Sequence, residues 1–205
     1  VAMSAEFVHL HVHSEYSLTD STIRVGDLVA ACARAGMPAV ALTDQSNLFA
    51  LVKFYKAAEA AGIKPIAGCD IWIAEREERA PPQRLTLLCQ NREGYLNLSR
   101  LLSRAYAEGR HGDYALVDRD WLVDANAGLI ALAGRDSDVG RLLLGGREDL
   151  ARMRADGLRA RFPDRFYLEA TRTHRPHEDA FLAAALTLVA NLDVPVVASN
   201  DVRFL

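Results

Sequence analysis

Short apolar runs alternate along the chain with longer stretches whose apolar residues recur every three or four positions. The runs are typical of buried strands, and the longer stretches are typical of helices with one face packed on a core. The runs predict strands at residues 7–12, 39–43, 64–74, 84–89, 129–133, 166–170 and 194–198. The stretches between them predict helices at residues 23–37, 47–62, 92–106, 147–162 and 177–192. Asn47 is a suitable cap for the second helix, which ends at Gly62.

Repeated alternation of strand and helix predicts parallel strands joined by right-handed crossovers, in an open sheet or a closed barrel. Polar residues lie within or just beyond the strand ends, at His11, His13, Asp44, Asp70, Arg84, Arg135 and Asp201. Barrel enzymes build their sites from side chains at the strand ends, so this distribution favours a barrel. The sequence has no GxGxxG or GxxxxGKS/T loop after the first strand, which weakens an open nucleotide-binding sheet.

The composition restricts the class of protein. Half of the 205 residues are apolar and a quarter are charged, as in globular domains. The net charge of −3 is too close to zero for a general nucleic-acid surface, so any such contact would need a local patch. Three cysteines without CxxC spacing indicate a reducing, cytoplasmic compartment. No apolar run approaches the roughly 20 residues that cross a bilayer, so no membrane contact is expected.

The segment FVHLHVHSEYS places His9, His11 and His13 at every second position, in and just after the first predicted strand. Side chains of a strand alternate between its two faces, so the three imidazoles point the same way. Such a row holds a metal, descends from residues that held one, or forms a hydrogen-bonded set in the core. His9 is expected to be structural.

Four segments carry a resemblance to a known family: HLHVHSEYSLTD, AVALTDQSNLFALVKFYKAAEAAGIKPIAGCD, LTLLCQNREGYLNLSRLLSRAY and PVVASNDVRFL. Together they resemble the N-terminal PHP (polymerase and histidinol phosphatase) domain of bacterial DNA polymerase III alpha subunits, the replicative C-family polymerases. The resemblance implies an α/β fold, a distorted (β/α)7 barrel. It also implies that residues 1–205 are one N-terminal domain of a much longer polymerase chain. No predicted helix follows the last strand, so we expect the barrel to be truncated at its C-terminus.

Metal-binding members of this family hold a trinuclear cluster at the strand ends and hydrolyse phosphoesters. By motif, the resemblance places the ancestral ligands at His11, His13, Asp20, Asp44, Asp70 and Asp201. Other ligand positions are substituted in this chain, at Gln45, Arg84, Arg135, Thr173 and Arg203. An arginine cannot lose its proton to become a ligand, and its charge repels dications. The resemblance therefore implies an incomplete, degenerate metal site.

We hypothesise that a salt-bridge cluster has replaced the metals, because buried carboxylates that lose their metals need another counter-charge. Its members would be Arg84, Arg135, Arg203, Asp44, Asp70 and Asp201. No cofactor is then expected in this domain, beyond at most one weakly held divalent ion at His11, His13 and Asp201. No residue of the domain is expected to be catalytic.

For function, the resemblance implies a non-catalytic accessory domain of a replicative DNA-directed DNA polymerase, a nucleotidyltransferase. The parent chain would extend DNA with Mg²⁺ held by aspartates of a domain beyond residue 205, and DNA would be contacted through that parent chain. The barrel would act as a scaffold and as a docking site for the epsilon proofreading exonuclease. The alternative is an active metal-dependent 3′–5′ exonuclease or phosphoesterase that uses the six ancestral ligands. An unrelated barrel hydrolase is a third alternative.

Overall fold

The computed structural model describes residues 7–18, 20–74 and 82–205. Its strands are β1 (His11–Val12), β2 (Ala39–Leu42), β3 (Lys64–Ile73), β4 (Gln83–Cys89), β5 (Arg110–His111), β6 (Tyr114–Val117), β7 (Leu129–Ala133), β8 (Phe166–Thr171), β9 (Val196–Ser199) and β10 (Asp201–Val202). Its helices are α1 (Val25–Arg34), α2 (Leu51–Ala60), α3 (Arg92–Glu108), α4 (Trp121–Asp124), α5 (Asp138–Leu144), α6 (Glu148–Arg161) and α7 (Glu178–Leu192). Each predicted strand and helix is found, the first strand being reduced to β1 and a bridge at His9.

The strand pairings form a circuit. β1 pairs with β10 on one side. On its other side the backbone around β1 hydrogen-bonds to the β2 region, from Ala41 N to His9 O and from Thr43 N to Val12 O. From β2 the pairing continues through β3, β4, β7 and β8 to β9, which leads directly into β10. This circuit is consistent with the predicted distorted barrel.

The direction of β4 corrects the prediction that the strands are uniformly parallel. β4 runs antiparallel to both β3 and β7, whereas the other pairs of the circuit are parallel. Only the nine residues 74–82 connect β3 to β4, fewer than the dozen or more of a parallel crossover. The register places Thr86 opposite Asp70, with Arg84 two residues before Thr86. The beginning of β4 therefore lies beside the end of β3.

Helix α2 begins later than predicted, because Asn47 does not cap it. The Asn47 side chain donates to the carbonyls of Tyr16 and Gln45. It also accepts a hydrogen bond from Phe49 N, and the helix starts only at Leu51. The elements β5, β6, β10, α4 and α5 lie outside the predicted set, since each spans too few residues to show a clear period.

The core lies between the strands and the helices that cover them. One apolar cluster joins β3, β4, β7 and β8 to α3, α5, α6 and α7, with Leu87, Leu98 and Leu129 wholly buried. A second cluster joins β1 and β2 to α1 and α2 around Val40 and Phe54. Within the described ranges, no helix has both the length and the apolar character needed to cross a membrane. Apolar packing thus supports the strands, and polar side chains gather at one end of them.

Candidate site at the barrel mouth

Charged side chains from five strands meet at one end of the barrel, which we call the mouth. They are His11, His13, Asp70, Arg84, Glu169, Asp201 and Arg203, together with Arg175 from a loop. Val12 is wholly buried in the core, so its neighbours His11 and His13 face the other way, toward the mouth. Two imidazoles therefore reach the mouth because side chains alternate between the two faces of this segment, as its sequence predicts.

Asp70 is the centre of the mouth and is 1% exposed. Its Oδ2 lies 2.8 Å from His11 Nε2 and 2.9 Å from His13 Nε2. The same carboxylate accepts hydrogen bonds from Arg84 Nη2 and Thr86 Oγ1. Burial disfavours the charged carboxylate, but Arg84 and His11 outweigh burial and hold the pKa of Asp70 well below its usual value. Asp70 is thus a buried anion shared among several donors.

The two histidines differ in their electrostatic surroundings. His11 meets a carboxylate at each ring nitrogen, with Glu169 3.0 Å from Nδ1 and Asp70 at Nε2. Burial alone would lower its pKa, yet these two carboxylates raise the pKa of His11 well above the ordinary value. His13 is wholly buried, and burial lowers its pKa despite Asp70, while its Nδ1 hydrogen-bonds to Asp20. Both carboxylates favour the protonated form of His11, which has no free lone pair to offer a metal ion.

Arg84 lies against three atoms that could bind a metal ion. The ligand atoms of His11, His13 and Asp70 are within 4.8 Å of one another, close enough to share an ion. The arginine Nη2 lies 3.3 Å from His11 Nε2, 3.4 Å from His13 Nε2 and within hydrogen-bond reach of Asp70 Oδ2. Burial alone would lower the pKa of Arg84, but Asp70 and Asp201 raise it, so the guanidinium stays charged. A dication bound to these three atoms would lie beside the fixed positive charge of Arg84, and that charge would oppose its binding.

A second group of charges surrounds Asp201. Arg203 Nε donates to Asp201 Oδ1 at 3.1 Å, and Arg175 Nη1 donates to Oδ2 at 2.6 Å. Arg203 also pairs with Asp20, so it joins β10 to the segment that follows β1. Burial lowers the pKa of Arg203. The carboxylates of the mouth therefore meet cationic partners on several elements, and the ion pairs cross from strand to strand.

Two members of the predicted salt-bridge cluster have partners outside that cluster, and for them the prediction is wrong. Asp44 has no arginine partner in the described residues. It accepts hydrogen bonds from Ser14 N at 2.7 Å, Ser14 Oγ at 2.7 Å and Ser17 Oγ at 2.6 Å. Arg135 pairs at 3.3 Å with Asp136, its neighbour in the sequence. Two serines therefore satisfy Asp44, whereas Arg135 shares Asp136 with Arg84, which approaches the same carboxylate at 4.0 Å.

Two further substituted positions contribute no side chain to the ion pairs around Asp70, although the backbone of Gln45 forms a bridge with that of Asp70. The backbone N–H of Gln45 donates to Ser17 Oγ, and Gln45 lines a separate cleft. Thr173 donates to Glu178 from both its backbone N–H and its hydroxyl. Among the described residues, the side chains of Gln45 and Thr173 have no part in the ion pairs of the mouth.

Three residues contribute to the mouth although they are not among the predicted site residues. Glu169 lies near the end of β8, so the strand-end rule that identified Asp70 could have found it. Thr86 faces Asp70 because β4 is antiparallel, which the sequence pattern does not show. Arg175 lies in a loop between β8 and α7, where there is no periodic signal to follow.

The ion pairs leave a cavity of about 30 Å³ at the mouth, large enough for ordered water. Sites for small-molecule ligands are usually about 300–1,000 Å³. The cavity is smaller than this range because the arginine side chains occupy part of the mouth. The arrangement can therefore hold opposite charges in fixed positions.

Comparisons with known proteins agree with this architecture. The family model described as the PHP domain matches residues 9–173. DNA polymerase III subunit alpha of Pseudomonas aeruginosa is 48% identical over 204 residues, which are 99% of this chain and 17% of that one. The same subunit of Escherichia coli is 46% identical over 200 residues, 97% of this chain and 17% of that one. The chain thus spans about a sixth of the length of these relatives.

Among solved structures, an amidohydrolase from Chromobacterium violaceum, with bound SO4 and no metal, matches with a TM-score of 0.63. The sequence identity is 15%, and the match covers 96% of this chain and 87% of that one. At this identity the likeness concerns the fold alone. It agrees with the distorted barrel that the strand pairings describe.

Proposed function

The chain belongs to the PHP domain family, and we propose that residues 1–205 are the N-terminal domain of a DNA polymerase III alpha subunit and support it without catalysing a reaction. The resemblance predicted from the sequence is confirmed at the level of the family. The two alpha subunits described above support the identity of the parent protein. The observation that carries the non-catalytic role is the position of Arg84, whose guanidinium lies against the atoms that could bind a metal.

In this proposal the ion pairs take the structural place of a metal cluster. Asp70 on β3 binds His11 on β1 and Arg84 on β4, so one carboxylate ties three strands together. Glu169 on β8 extends the network through His11. Removing one partner of a buried ion pair typically costs about 3–5 kcal/mol, because the other charge stays buried without compensation. The network therefore holds one arrangement of the strand ends, as a scaffold requires.

The polymerase chemistry would belong to the parent chain. We place nucleotide addition with Mg²⁺, and the contact with DNA, in a region beyond residue 205. The epsilon proofreading exonuclease would dock on the barrel, since a chain without hydrolysis of its own needs editing from a partner. The assembly would work in the cytoplasm, and the free thiols of Cys32, Cys69 and Cys89 support a reducing compartment.

Metal analysis tests the proposal. The chain is purified without chelators and dialysed against zinc, manganese or magnesium, and its metal content is measured by plasma mass spectrometry. We expect less than one tightly held ion per chain, because Arg84 competes for the ligand atoms. We also expect no hydrolysis of bis-p-nitrophenyl phosphate or single-stranded DNA with these ions. Two or more tightly held ions per chain would overturn the proposal.

The second candidate function is a metal-dependent phosphoesterase or 3′–5′ exonuclease. The observation that favours it is the set of ligand atoms on His11, His13 and Asp70, all within 4.8 Å of one another. In that case zinc or manganese would support turnover, and His11→Ala would abolish it. Asp179→Ala, at a side chain that is 87% exposed, would leave the turnover unchanged and serves as the control.

A further inference from the structure

A groove on the surface of the molecule lies between α2 and the start of α3, and no residue of the mouth lines it. Its volume is about 510 Å³. Pro65, Ala67 and Cys89 form its partly buried side. Tyr55 of α2 and Tyr95 of α3 form its open side, with 52% and 40% of their surfaces exposed. We call this feature the tyrosine groove.

Two cations lie next to these tyrosines. Lys56 follows Tyr55 in α2, and Arg92 comes three residues before Tyr95 in α3. Both cations are exposed, and neither has an ion-pair or hydrogen-bond partner in the part of the chain that the structure describes. None of the described residues that line the groove is acidic. The groove therefore combines accessible aromatic rings with two cations that form no ion pair with the described residues.

A second aromatic cleft shows that exposed rings alone do not produce this combination. It has a volume of about 690 Å³, and its aromatic lining consists of Tyr16, Phe49, Trp72, Tyr106 and Tyr114. The charged residue among its described lining is Asp113. Lys53 lies over one of these rings, but it is already paired with Glu15 at 2.9 Å. The tyrosine groove therefore offers Lys56 and Arg92 as unpaired cations to an anionic ligand. The described lining of this cleft offers no such cation.

We propose that the tyrosine groove binds single-stranded nucleic acid. Aromatic rings offer stacking surfaces to bases of any sequence, and lysine or arginine beside them neutralises the phosphates. Tyr55 and Tyr95 each stack one base, while Lys56 and Arg92 contact the backbone. The exposed amide of Gln90, also in the groove, can hydrogen-bond to the edge of a base. The net charge of −3 confines such binding to this local patch.

An acidic protein segment is the competing occupant, because it would share the attraction to Lys56 and Arg92. It would not share the stacking, since an extended peptide places aliphatic and backbone atoms against a ring. The exposed apolar surface of the groove includes Val52 and two aromatic rings, and each ring is close in sequence to a cation, which suits a run of bases. The two occupants are therefore distinguished by their dependence on the rings.

The test is the binding of a short fluorescein-labelled oligo(dT) to the 205-residue chain, followed by fluorescence anisotropy at increasing salt. Tyr55→Ala and Tyr95→Ala should each weaken binding about fivefold or more, because each removes a stacking surface. Tyr55→Phe and Tyr95→Phe should retain binding. The slope of log affinity against log salt concentration should be about −1.4, as expected for two phosphate contacts. The double variant Lys56→Gln, Arg92→Gln should abolish this salt dependence.

Tyr114→Ala is the matched control, because Tyr114 is 39% exposed and lines the other cleft. It should leave oligo(dT) binding unchanged, and the thermal midpoint of each variant reports that the fold is intact. Absence of oligo(dT) binding at low ionic strength would overturn the proposal. An affinity that is unchanged in both Tyr55→Ala and Tyr95→Ala would also overturn it. Equal binding of oligoglutamate, sensitive to the two cations and insensitive to the tyrosines, would assign the groove to an acidic protein segment instead.

Discussion

The mouth and the tyrosine groove use the same residue types to opposite effect. At the mouth, the Arg84 side chain is 13% exposed and lies against Asp70. In the groove, Arg92 is exposed and has no acidic partner among the described residues. A buried charge must be paired, and once paired it has little attraction left for a ligand. An exposed, unpaired charge costs little and remains available. The surroundings of an arginine, rather than its presence, therefore decide whether it supports the fold or is available to a ligand.

The free energy of unfolding should fall most when the buried charge of Asp70 is removed, in contrast to the loss of an exposed charge. Asp70→Ala leaves Arg84 and His11 buried without their shared partner. We expect the free energy of unfolding, measured with urea, to fall by about 3–5 kcal/mol. Asp179→Ala removes one member of an exposed pair with Arg172 and should change the free energy little. Similar losses in the two variants would mean that the mouth behaves as an ordinary charged surface.

Replacing the buried arginine by a ligand should change the chemistry of the mouth. Arg84→His removes the guanidinium and adds an imidazole beside His11, His13 and Asp70. Zinc at one hundred times its dissociation constant would then stabilise the variant by about 2.7 kcal/mol, seen as a rise in the thermal midpoint over EDTA. Arg92→His, in the exposed groove, is the control and should show no such rise. An equal rise in the unmodified chain would contradict the assignment.

Two arginines at the mouth should differ because their partners differ. Arg203 is paired with Asp20 and Asp201, and its side chain is 15% exposed. Arg203→Ala should therefore lower the free energy of unfolding by about 2 kcal/mol. Arg135 is paired with Asp136, whose side chain is 40% exposed, so Arg135→Ala should cost less than about 1 kcal/mol. Denaturation curves of the two variants, measured side by side, check the order.

The smallest expected effect concerns Glu178, at the edge of the mouth, and depends on pH. Burial would raise its pKa, but hydrogen bonds from Thr173 and from the Arg175 backbone outweigh burial and lower it below the ordinary 4.5. A lowered pKa gives stability that is present above the ordinary value and is lost as the pH falls through the folded pKa. Glu178→Gln should therefore cost about 1 kcal/mol at neutral pH. The difference from the unmodified chain should shrink in acid, and a difference that grows in acid would contradict this account.

The sequence predicted the positions of strands and strand-end charges better than it predicted how the charges pair. His11, His13, Asp70 and Asp201 follow from alternation and from a local motif, and both are properties of short segments. Arg84 meets Asp70 only because β4 is antiparallel, and hydrophobic periodicity does not report strand direction. Asp44 and Arg135 were assigned to the cluster from their positions alone. Asp44 instead binds two serines of the segment after β1, and Arg135 binds the next residue in the sequence, and the motif indicates neither contact.

The tyrosine groove could not be predicted for a different reason. Tyrosine occurs both in cores and on surfaces, so the positions of Tyr55 and Tyr95 in the sequence do not show that their rings are accessible. The cations beside them look like the solvated face of any helix. Only the packing of α2 beside the start of α3 brings the four side chains to one groove. Such a surface depends on contacts between elements, which a single sequence does not contain.

A slide of β4 by one residue along β3 would reverse which of its side chains point to each face. Gln83 or Leu85 would then occupy the position of Arg84. The charged carboxylate of Asp70 would face a neutral amide or an apolar side chain. In the observed register Thr86 lies opposite Asp70 and Arg84 lies two residues before it. The neutralisation of Asp70 therefore depends on the spacing of these residues as well as on their identity. An insertion of one residue between Arg84 and Thr86 would turn the arginine to the other face of β4 and leave the composition of charges unchanged.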